Sequence, residues 1–446
     1  MRPRQKDKIS VGFNHPCWQF AVNALPGRDP FFRLRTELVS RMNCPNPSME
    51  NVINTLVIQN FKSIRHAVLH PRRVNLIIGE PNVGKSTVLE AMSLLGALPF
   101  ERKKKFMRSF IRYDEPAQLF HDGNFTNPVR IESDHDVCLL ARQAKGAGWG
   151  KGFQYGVFSQ SAYRLLRVQL GLPLLESRPK NRAIDDATLL SRLQQRLDML
   201  GTLPEPGCRY LEFGPTGRLR ELPGGVPGLA SAPGWQPRAV KPFRFKSTSR
   251  LDRRYAEPTL YPPHGNNLVQ VLEANTALRH NFKALFNEQH QQLRVRADAR
   301  RLEVMKDVDG LSVAYPYSGA GDTLRRFGFH MAAMDSSREA VILLEEPESH
   351  SYPGYIMQLA ERMVAHESNQ FFVTTHSPYF FDSVLENMVP YESLMPELAV
   401  FVVYYKDFQT KIRQMSDEEV RGLQRDSLDV FNNLHHLAHE SLGRKV

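Results

Sequence analysis

Long apolar runs and paired cysteines are both missing from this sequence. No stretch reaches the roughly 18 consecutive apolar residues that a transmembrane helix needs, so we expect no membrane insertion. The basic first residues lack the apolar segment of a signal peptide. The four cysteines are scattered, at positions 17, 44, 138 and 208, and form no C-x-x-C pair. This spacing argues against a zinc site and a disulfide framework, and it predicts a protein of the reducing cytoplasm.

The composition is that of an ordinary globular protein. Hydrophobic residues make up 41% and charged residues 24% of the 446 positions. A chain of this length has room for about two to three domains with a sizeable core. The net charge of +11 permits a polyanionic partner but does not require one.

The chain divides into four regions by its patterns. Residues 1–48 lack periodicity and are interpreted as an N-terminal extension; Met49 is a candidate native start, which would make this extension not native. Residues 49–142 and 261–446 carry core-like patterns. Residues 143–260 are interpreted as a partly helical insertion, irregular where proline and glycine cluster and basic towards its end. Its best helix aligns Ile184, Leu189 and Leu193 and ends near Gly201.

One glycine-rich stretch matches the phosphate-binding pattern G-x-x-x-x-G-K-[ST] at every position: Gly79-Glu80-Pro81-Asn82-Val83-Gly84-Lys85-Ser86, followed by Thr87. An apolar strand precedes it and a helical pattern follows it, which is the order that such a loop requires. Its N–H groups cradle phosphate, including those around Gly79, Asn82 and Gly84. Lys85 then reaches the β- and γ-phosphates, and the hydroxyl of Ser86 ligates Mg²⁺.

A second apolar strand ends in acidic residues. Val341-Ile342-Leu343-Leu344 is followed by Glu345-Glu346-Pro347-Glu348. Two carboxylates at the end of a buried strand are costly unless they serve a cation or a reaction. The pattern is that of a Walker B strand, in which Glu345 holds the Mg²⁺ shell through water and Glu346 deprotonates the attacking water.

Two further motifs follow the order of an ATPase. Phe371-Phe372-Val373-Thr374-Thr375 leads into His376, and a histidine at the end of such a strand is predicted to contact the γ-phosphate and sense its loss. Between the insertion and the acidic strand, the small-residue loop around Ser318 and Gly319 opens a helix, whose N-terminus is suited to phosphate.

In combination these motifs resemble an ABC-type AAA ATPase of the OLD/RecF/SMC-like group. The resemblance runs from Ile-Gln-Asn-Phe-Lys-Ser-Ile at 58–64 to Thr-Thr-His-Ser-Pro at 374–378 and covers about half of the chain. It implies an α/β fold of the P-loop NTPase, ABC-ATPase type, with a mixed or parallel sheet flanked by helices. It also implies ATP and Mg²⁺ as cofactors, with ATP sandwiched between two protomers of a homodimer or higher homo-oligomer.

The resemblance assigns roles to single residues. In the sandwich, Ser318 and Gly319 of one subunit face the γ-phosphate that Lys85 of the other holds. Glu346 is then the base and His376 the switch. Gln118 is a candidate for the glutamine loop that couples Mg²⁺ to the rest of the domain.

The chain departs from the long-armed and nuclease members of this group. Only 233 positions separate Lys85 from Ser318, without sustained heptads, so long coiled-coil arms are excluded. A Toprim nuclease domain is not expected, because seventy residues follow His376 and the acids after Ser416 are typical of a capped helix. We therefore expect a stand-alone ATPase that controls a separate effector, a nuclease or toxin, as ATPase subunits of bacterial anti-phage defence systems do.

The alternative is a RecF-like DNA-repair ATPase that binds DNA directly. Basic and aromatic residues alternate between Trp235 and Tyr255, and a second basic run spans 102–112. Both segments are equally well explained as solvated faces or contacts to an acidic partner. A transporter subunit is disfavoured by the Glu-rich acidic strand, and a GTPase by the lack of an N-K-x-D motif.

Overall fold

The computed structural model describes most of the chain after residue 51: residues 52–101, 104–143, 152–173, 179–200, 207–220, 230–231, 238–247, 257–296, 301–426 and 429–439. The expected extension at 1–48 and the expected helix end at Gly201 lie outside these residues. No helix within the described ranges is both long and apolar enough to cross a bilayer.

The strands of the described residues are numbered in chain order: β1 Leu56–Phe61, β2 Ile64–Leu69, β3 Val74–Ile78, β4 Val129–Ser133, β5 Asp136–Arg142, β6 Phe153–Ser159, β7 Cys208–Phe213, β8 Ala230–Ser231, β9 Val240–Phe243, β10 Gln292–Arg296, β11 Arg301–Val308, β12 Leu311–Pro316, β13 Ala340–Glu345, β14 Asn369–Thr374, β15 Leu398–Lys406 and β16 Gln409–Gln414.

The α-helices of the same residues are α1 Lys85–Gly96, α2 Gln160–Gln169, α3 Pro179–Leu200, α4 Leu268–Ala274, α5 Thr276–Asn287, α6 Asp322–Asp335, α7 Pro353–Ala365, α8 Pro378–Met388, α9 Asp417–Arg425 and α10 Leu434–His439. As expected, Ser416 caps α9, since its side chain accepts from the N–H of Glu419.

A mixed sheet in the order β16-β15-β3-β14-β13-β9 contains the strands that carry the motifs. All neighbouring pairs are parallel except β15 and β16. Every residue of β3 is buried, as expected for a central parallel strand. This sheet and its flanking helices confirm the predicted α/β fold of the P-loop NTPase type. The carboxyl ends of β3, β13 and β14 meet at one edge, where such folds bind ligands.

A seven-stranded sheet, in the order β2-β1-β4-β5-β6-β7-β8, packs with α1 and the mixed sheet around one apolar core. Ile58 of β1, Met92 of α1 and Phe372 of β14 are all fully buried in this core. Helix α1 therefore has apolar contacts on both sides, and the loop that precedes it is held between the two sheets. A small antiparallel sheet of β10, β11 and β12 leads into α6.

The region expected to be an insertion contributes strands to both large sheets. β6 and β7 extend the seven-stranded sheet, and β9 pairs with β13 in the mixed sheet. The expected helix is present as α3, with Leu189 and Leu193 buried against β5. The described strands of 143–260 therefore belong to the two large sheets, which no local pattern of the sequence indicated. The reason is that long-range strand pairing leaves no local sequence signal. The division into domains stays a prediction.

Helices α2 and α3 are joined to β4 by a buried ionic cluster. Asp186 accepts from Arg130 Nη1 at 2.7 Å and from Arg167 Nη1 at 3.3 Å, and the Tyr163 hydroxyl donates to the same carboxylate. Arg130, Arg167 and Asp186 are almost entirely shielded from solvent. A single carboxylate thus compensates two buried guanidinium groups, with Asp185 and Glu132 as additional partners.

Asp186→Ala is expected to lower the free energy of unfolding by about 3–5 kcal/mol, because it leaves two buried cations without their shared partner. Denaturant unfolding followed by circular dichroism measures this difference. Asp198→Ala, at an exposed position of the same helix, is the matched control and should stay close to wild type. Equal stability of the two variants would contradict the role of the cluster.

Candidate functional site

The phosphate loop between β3 and α1 has a backbone that requires glycine at two positions. A Cβ on Gly79 would lie 2.2 Å from the carbonyl oxygen of Val403. Gly84 has φ 102°, and a Cβ there would lie 2.3 Å from Thr410 Oγ1. Asn82 also adopts a positive φ, of 63°. The loop is therefore shaped by close approach to β15 and β16, in addition to its own turn chemistry.

Thr410 holds the outer side of this loop. It is fully buried, and its hydroxyl donates to the carbonyl oxygen of Val83 at 2.7 Å. The same Oγ1 lies 2.8 Å from Ser63 Oγ, and the backbone N–H of Thr410 donates to Ser63 O. Nothing in the sequence singles out Thr410, since a threonine in an alternating strand is commonplace.

Lys85 is the first residue of α1, and only 6% of its surface is exposed. Its Nζ donates to the carbonyl oxygens of Gly79 at 2.8 Å and Glu80 at 2.7 Å. Burial lowers the pKa of Lys85 to about 8, although the nearby carboxylates of Glu346, Glu348 and Glu80 act in the opposite direction. The ammonium group is thus poorly solvated and close to the acids that follow β13.

Glu345 ends β13 and is surrounded by cations. Its Oε1 lies 2.6 Å from Arg112 Nη2 and its Oε2 lies 2.6 Å from Arg244 Nε. Burial alone would raise the pKa of Glu345, but Arg244, a hydrogen bond from Ser86 and Arg112 together lower it. A hydroxyl and an ionised carboxylate in contact are oxygen donors that suit Mg²⁺. Ser86 and Glu345 therefore fit the predicted metal site, with two guanidinium groups beside it.

Among the described residues of the 102–112 basic run, Arg112 reaches the site. Glu90 of α1 accepts from its Nε at 2.8 Å and from its backbone N–H at 3.2 Å. Lys62 pairs with the other oxygen of Glu90 and donates to the carbonyl of Arg112 at 2.6 Å. The sequence placed Arg112 in a charged run without a specific role, because its partners are distant along the chain.

Glu346 and His376, predicted as base and switch, are in direct contact. His376 Nε2 lies 2.9 Å from Glu346 Oε1, and both side chains are partly exposed. Burial and the charge of Lys85 lower the pKa of His376, and Glu346 opposes them. Glu346 has φ 44°, and its N–H donates to the carbonyl of Thr374 at 3.0 Å. A strained turn therefore aims this carboxylate at the end of the neighbouring strand.

Glu348 links the turn after β13 to the turn after β14. It is 7% exposed, and its Oε1 accepts from the Thr375 hydroxyl at 2.7 Å and from the N–H of His376 at 2.9 Å. Burial raises the pKa of this carboxyl. Glu348 belongs to the acidic string after β13, but no pattern in the sequence gives it a role, since only the folded structure places it next to the His376 backbone.

Three predicted residues lie apart from this cluster. Gln118 is exposed in the turn Pro116–Leu119, and its side chain accepts from the N–H of Asp114 at 2.7 Å. Ser318 and Gly319 are exposed in the turn Tyr317–Gly319, which precedes α6. Among the described contacts, none joins these residues to Ser86, Lys85 or Glu345. Their roles as metal ligand and signature stay predictions.

The basic and aromatic segment that suggested DNA binding is used largely inside the fold, as far as it is described. Lys241 and Phe243 are buried in β9, and Arg244 pairs with Glu345. Phe245 packs on Phe329. At these positions the side chains therefore serve the fold and the acidic strand end, and direct DNA binding stays a prediction. Of the other members, Arg238 is partly exposed and Lys246 is exposed, and the following lie outside the described residues: Trp235, Arg250, Arg253, Arg254 and Tyr255.

Two protein-family models match parts of the chain. Residues 52–158 match an "AAA ATPase domain" and residues 217–382 match an "AAA domain, putative AbiEii toxin, Type IV TA system". The first range contains the phosphate loop, and the second contains Ser318, Glu345, Glu346 and His376. These two ranges of the chain are therefore similar to AAA-family ATPase domains.

Solved structures similar to this chain include heads of SMC proteins. An SMC head bound to the C-winged helix domain of ScpA is 13% identical, with 82% of this chain and 98% of that chain covered at a TM-score of 0.41. The SMC head domain from Thermotoga maritima is 12% identical, with 82% and 99% covered at 0.34. The Smc head with an extended coiled coil from Pyrococcus furiosus, bound to the C-terminal domain of ScpA, is 11% identical, with 84% and 99% covered at 0.42. None of the curated proteins matches.

Glu348→Ala is expected to lower the free energy of unfolding by about 1–3 kcal/mol, because the Thr375 hydroxyl and the His376 N–H lose their buried acceptor. Denaturant unfolding measures the loss. Glu348→Gln keeps an acceptor oxygen of the same reach and should be clearly more stable than the alanine variant. If the two variants unfold at the same denaturant concentration, Glu348 does not hold the His376 turn.

Proposed function

We propose that the chain is an ATP-binding and ATP-hydrolysing molecular switch that dimerises or forms higher oligomers around ATP and controls a separately encoded effector. The observation that carries the proposal is the convergence of Lys85, Glu346 and His376 at one edge of the mixed sheet. The charge of Lys85 acts on His376, and His376 contacts Glu346, so one phosphate chain reaches all three. The similarity of residues 52–158 and 217–382 to AAA-family ATPase domains supports ATP as the ligand.

The loop and its lysine bind the triphosphate. Lys85 already donates to two carbonyl oxygens of the loop, and phosphate oxygens replace them as stronger, charged acceptors. Ser86 and Glu345 would hold Mg²⁺, which would supply positive charge to neutralise the phosphates. Arg112 and Arg244 keep Glu345 ionised and oriented towards Ser86.

Glu346 and His376 act on the water that attacks the γ-phosphate. Glu346 accepts the proton of this water as a general base, and His376, 2.9 Å away, orients the carboxylate. The lowered pKa of His376 keeps its imidazole neutral near pH 7, so that it can donate one hydrogen bond and accept another. Glu348 positions His376 through its backbone N–H.

A second subunit completes the site in this proposal. Ser318 and Gly319 are exposed just before α6, so their N–H groups are available to the nucleotide of another copy. Within one chain they have no described contact to Lys85. ATP bound between two copies would join them, and hydrolysis would release them.

The effector is proposed to be a separate nuclease or toxin, in a setting of anti-phage defence. The family description that matches residues 217–382 names a toxin–antitoxin system, which supports this setting. The RecF-like alternative, with direct DNA binding, has less support, since Lys241, Phe243 and Arg244 serve the fold and the site. The net charge of +11 supports this alternative, because DNA is a polyanion.

Lys85→Ala is expected to abolish ATP turnover and to weaken ATP binding by about 10- to 100-fold, because a charged hydrogen-bond donor is lost from the loop. Phosphate release and isothermal titration calorimetry measure the two effects. Lys283→Ala, at an exposed position of α5, is the control and should behave as wild type. Unchanged hydrolysis by Lys85→Ala would contradict the proposal.

Glu346→Gln is expected to bind ATP and to hydrolyse it at least about 100-fold more slowly, since the amide cannot take a proton from water. The variant should accumulate as an ATP-bound dimer or larger oligomer, measured by light scattering with and without ATP. Glu392→Gln, an exposed glutamate after α8, serves as control. Normal turnover by Glu346→Gln would show that another group is the base, and a monomer with ATP bound would contradict the sandwich.

A further inference from the structure

The hairpin of β15 and β16 extends beyond the phosphate loop at the carboxyl edge of the mixed sheet. Val402 of β15 pairs with Ile78, the last residue of β3, and the two strands are parallel. β15 then continues through Lys406, past the point at which the chain of β3 turns into the loop. The tip of the hairpin therefore lies beside the loop and projects past the carboxyl end of β3.

The hairpin has one face that is directed at the loop. Thr410 of β16 defines this face, since its hydroxyl donates to Val83 O and contacts the space beside Gly84. Tyr405 is the register partner of Thr410. Directly paired residues of antiparallel strands project to the same side, about 4.5–5.5 Å apart at Cβ. The side chain of Tyr405 therefore projects on the side of the hairpin that faces the loop.

Two aromatic side chains at this tip are left in solvent. Tyr405 is 53% exposed and Phe408 is 87% exposed. By contrast, Phe401 and Val403 of the same strand are buried in the core. Lys406 and Asp407 separate the two aromatic residues and cancel in charge, so the tip has no net attraction for phosphate. Exposed rings beside a phosphate loop are suited to the face of a nucleobase.

The direction of a bound nucleotide follows from the sheet order. The γ-phosphate end is marked by Glu346 and His376, which follow β13 and β14 on one side of β3. β15 and β16 lie on the other side of β3. A triphosphate that ends at Glu346 and passes Lys85 therefore directs its nucleoside towards the hairpin.

We propose that Tyr405 and Phe408 form the base-binding surface of the nucleotide site and stack on the purine of the ligand. The inference rests on the proposed function, because it assumes that the loop holds a nucleoside triphosphate. It adds to that function the residues that distinguish a nucleotide from an inorganic polyphosphate. Thr410 joins the base-binding hairpin to the phosphate loop, because it belongs to β16 and its hydroxyl donates to Val83 O.

The test compares two ligands that share a phosphate chain and differ in the base. The double variant Tyr405→Leu/Phe408→Leu is titrated with ATP and with inorganic tripolyphosphate, each with Mg²⁺, in a calorimeter. We expect the affinity for ATP to fall by about tenfold or more, as expected for lost stacking on a base, and the affinity for tripolyphosphate to stay unchanged. Retained tripolyphosphate binding also reports an intact loop. The control, Tyr405→Phe/Phe408→Tyr, keeps both rings and should bind ATP as wild type does.

The other outcomes are distinguishable. If the leucine variant binds ATP as tightly as wild type, the base-binding surface is overturned while the proposed ATPase function stands. If it loses ATP and tripolyphosphate equally, the hairpin acts on the loop and does not bind the base, which also overturns the inference. If the wild-type protein binds neither ligand, the proposed function itself fails.

Discussion

The parallel register of β3, β14 and β13 is the constraint on which the candidate site depends. Ile77 pairs with Thr374, and Thr374 pairs with Glu345, so the three strands end at the same level of the sheet. The phosphate loop, the acidic turn and His376 are therefore neighbours because of the strand register, and their side chains need not contact one another for this. Backbone hydrogen bonds between buried parallel strands place the groups, and side-chain contacts such as that of Glu348 only refine their aim.

Each charged group of the site has a partner within the protein. Lys85 is bonded to carbonyl oxygens of the loop, Glu345 lies between two arginines, and Glu346 contacts His376. Because unpaired charges are costly in a partly buried cleft, this mutual compensation makes the isolated site stable. A ligand that binds here replaces these internal partners at side chains that are already oriented. The entropic cost of ordering the side chains on binding is therefore lower.

The least predictable part of the fold is the central region. Its strands β6, β7 and β9 join two different sheets, and their partners lie far away in the sequence. Local patterns reveal a helix such as α3, because the apolar spacing is contained in the segment itself. They do not reveal which sheet a short strand enters. For the same reason Arg244 looked like a surface cation, whereas the pairing of β9 with β13 brings it to Glu345.

Three features could be read from local patterns alone, because each has a chemical requirement behind it: the strand–loop–helix unit at 74–96, the acidic strand end at 345–346 and the histidine at 376. The α/β fold class was implied by the family resemblance that these patterns carry. Folding of the whole chain is needed to bring Arg112 and Arg244 to Glu345, Glu348 to the backbone of His376, and Thr410 to the loop. These contacts join residues that are remote along the chain, and the free energy that selects them comes from packing the whole core, which no single segment encodes.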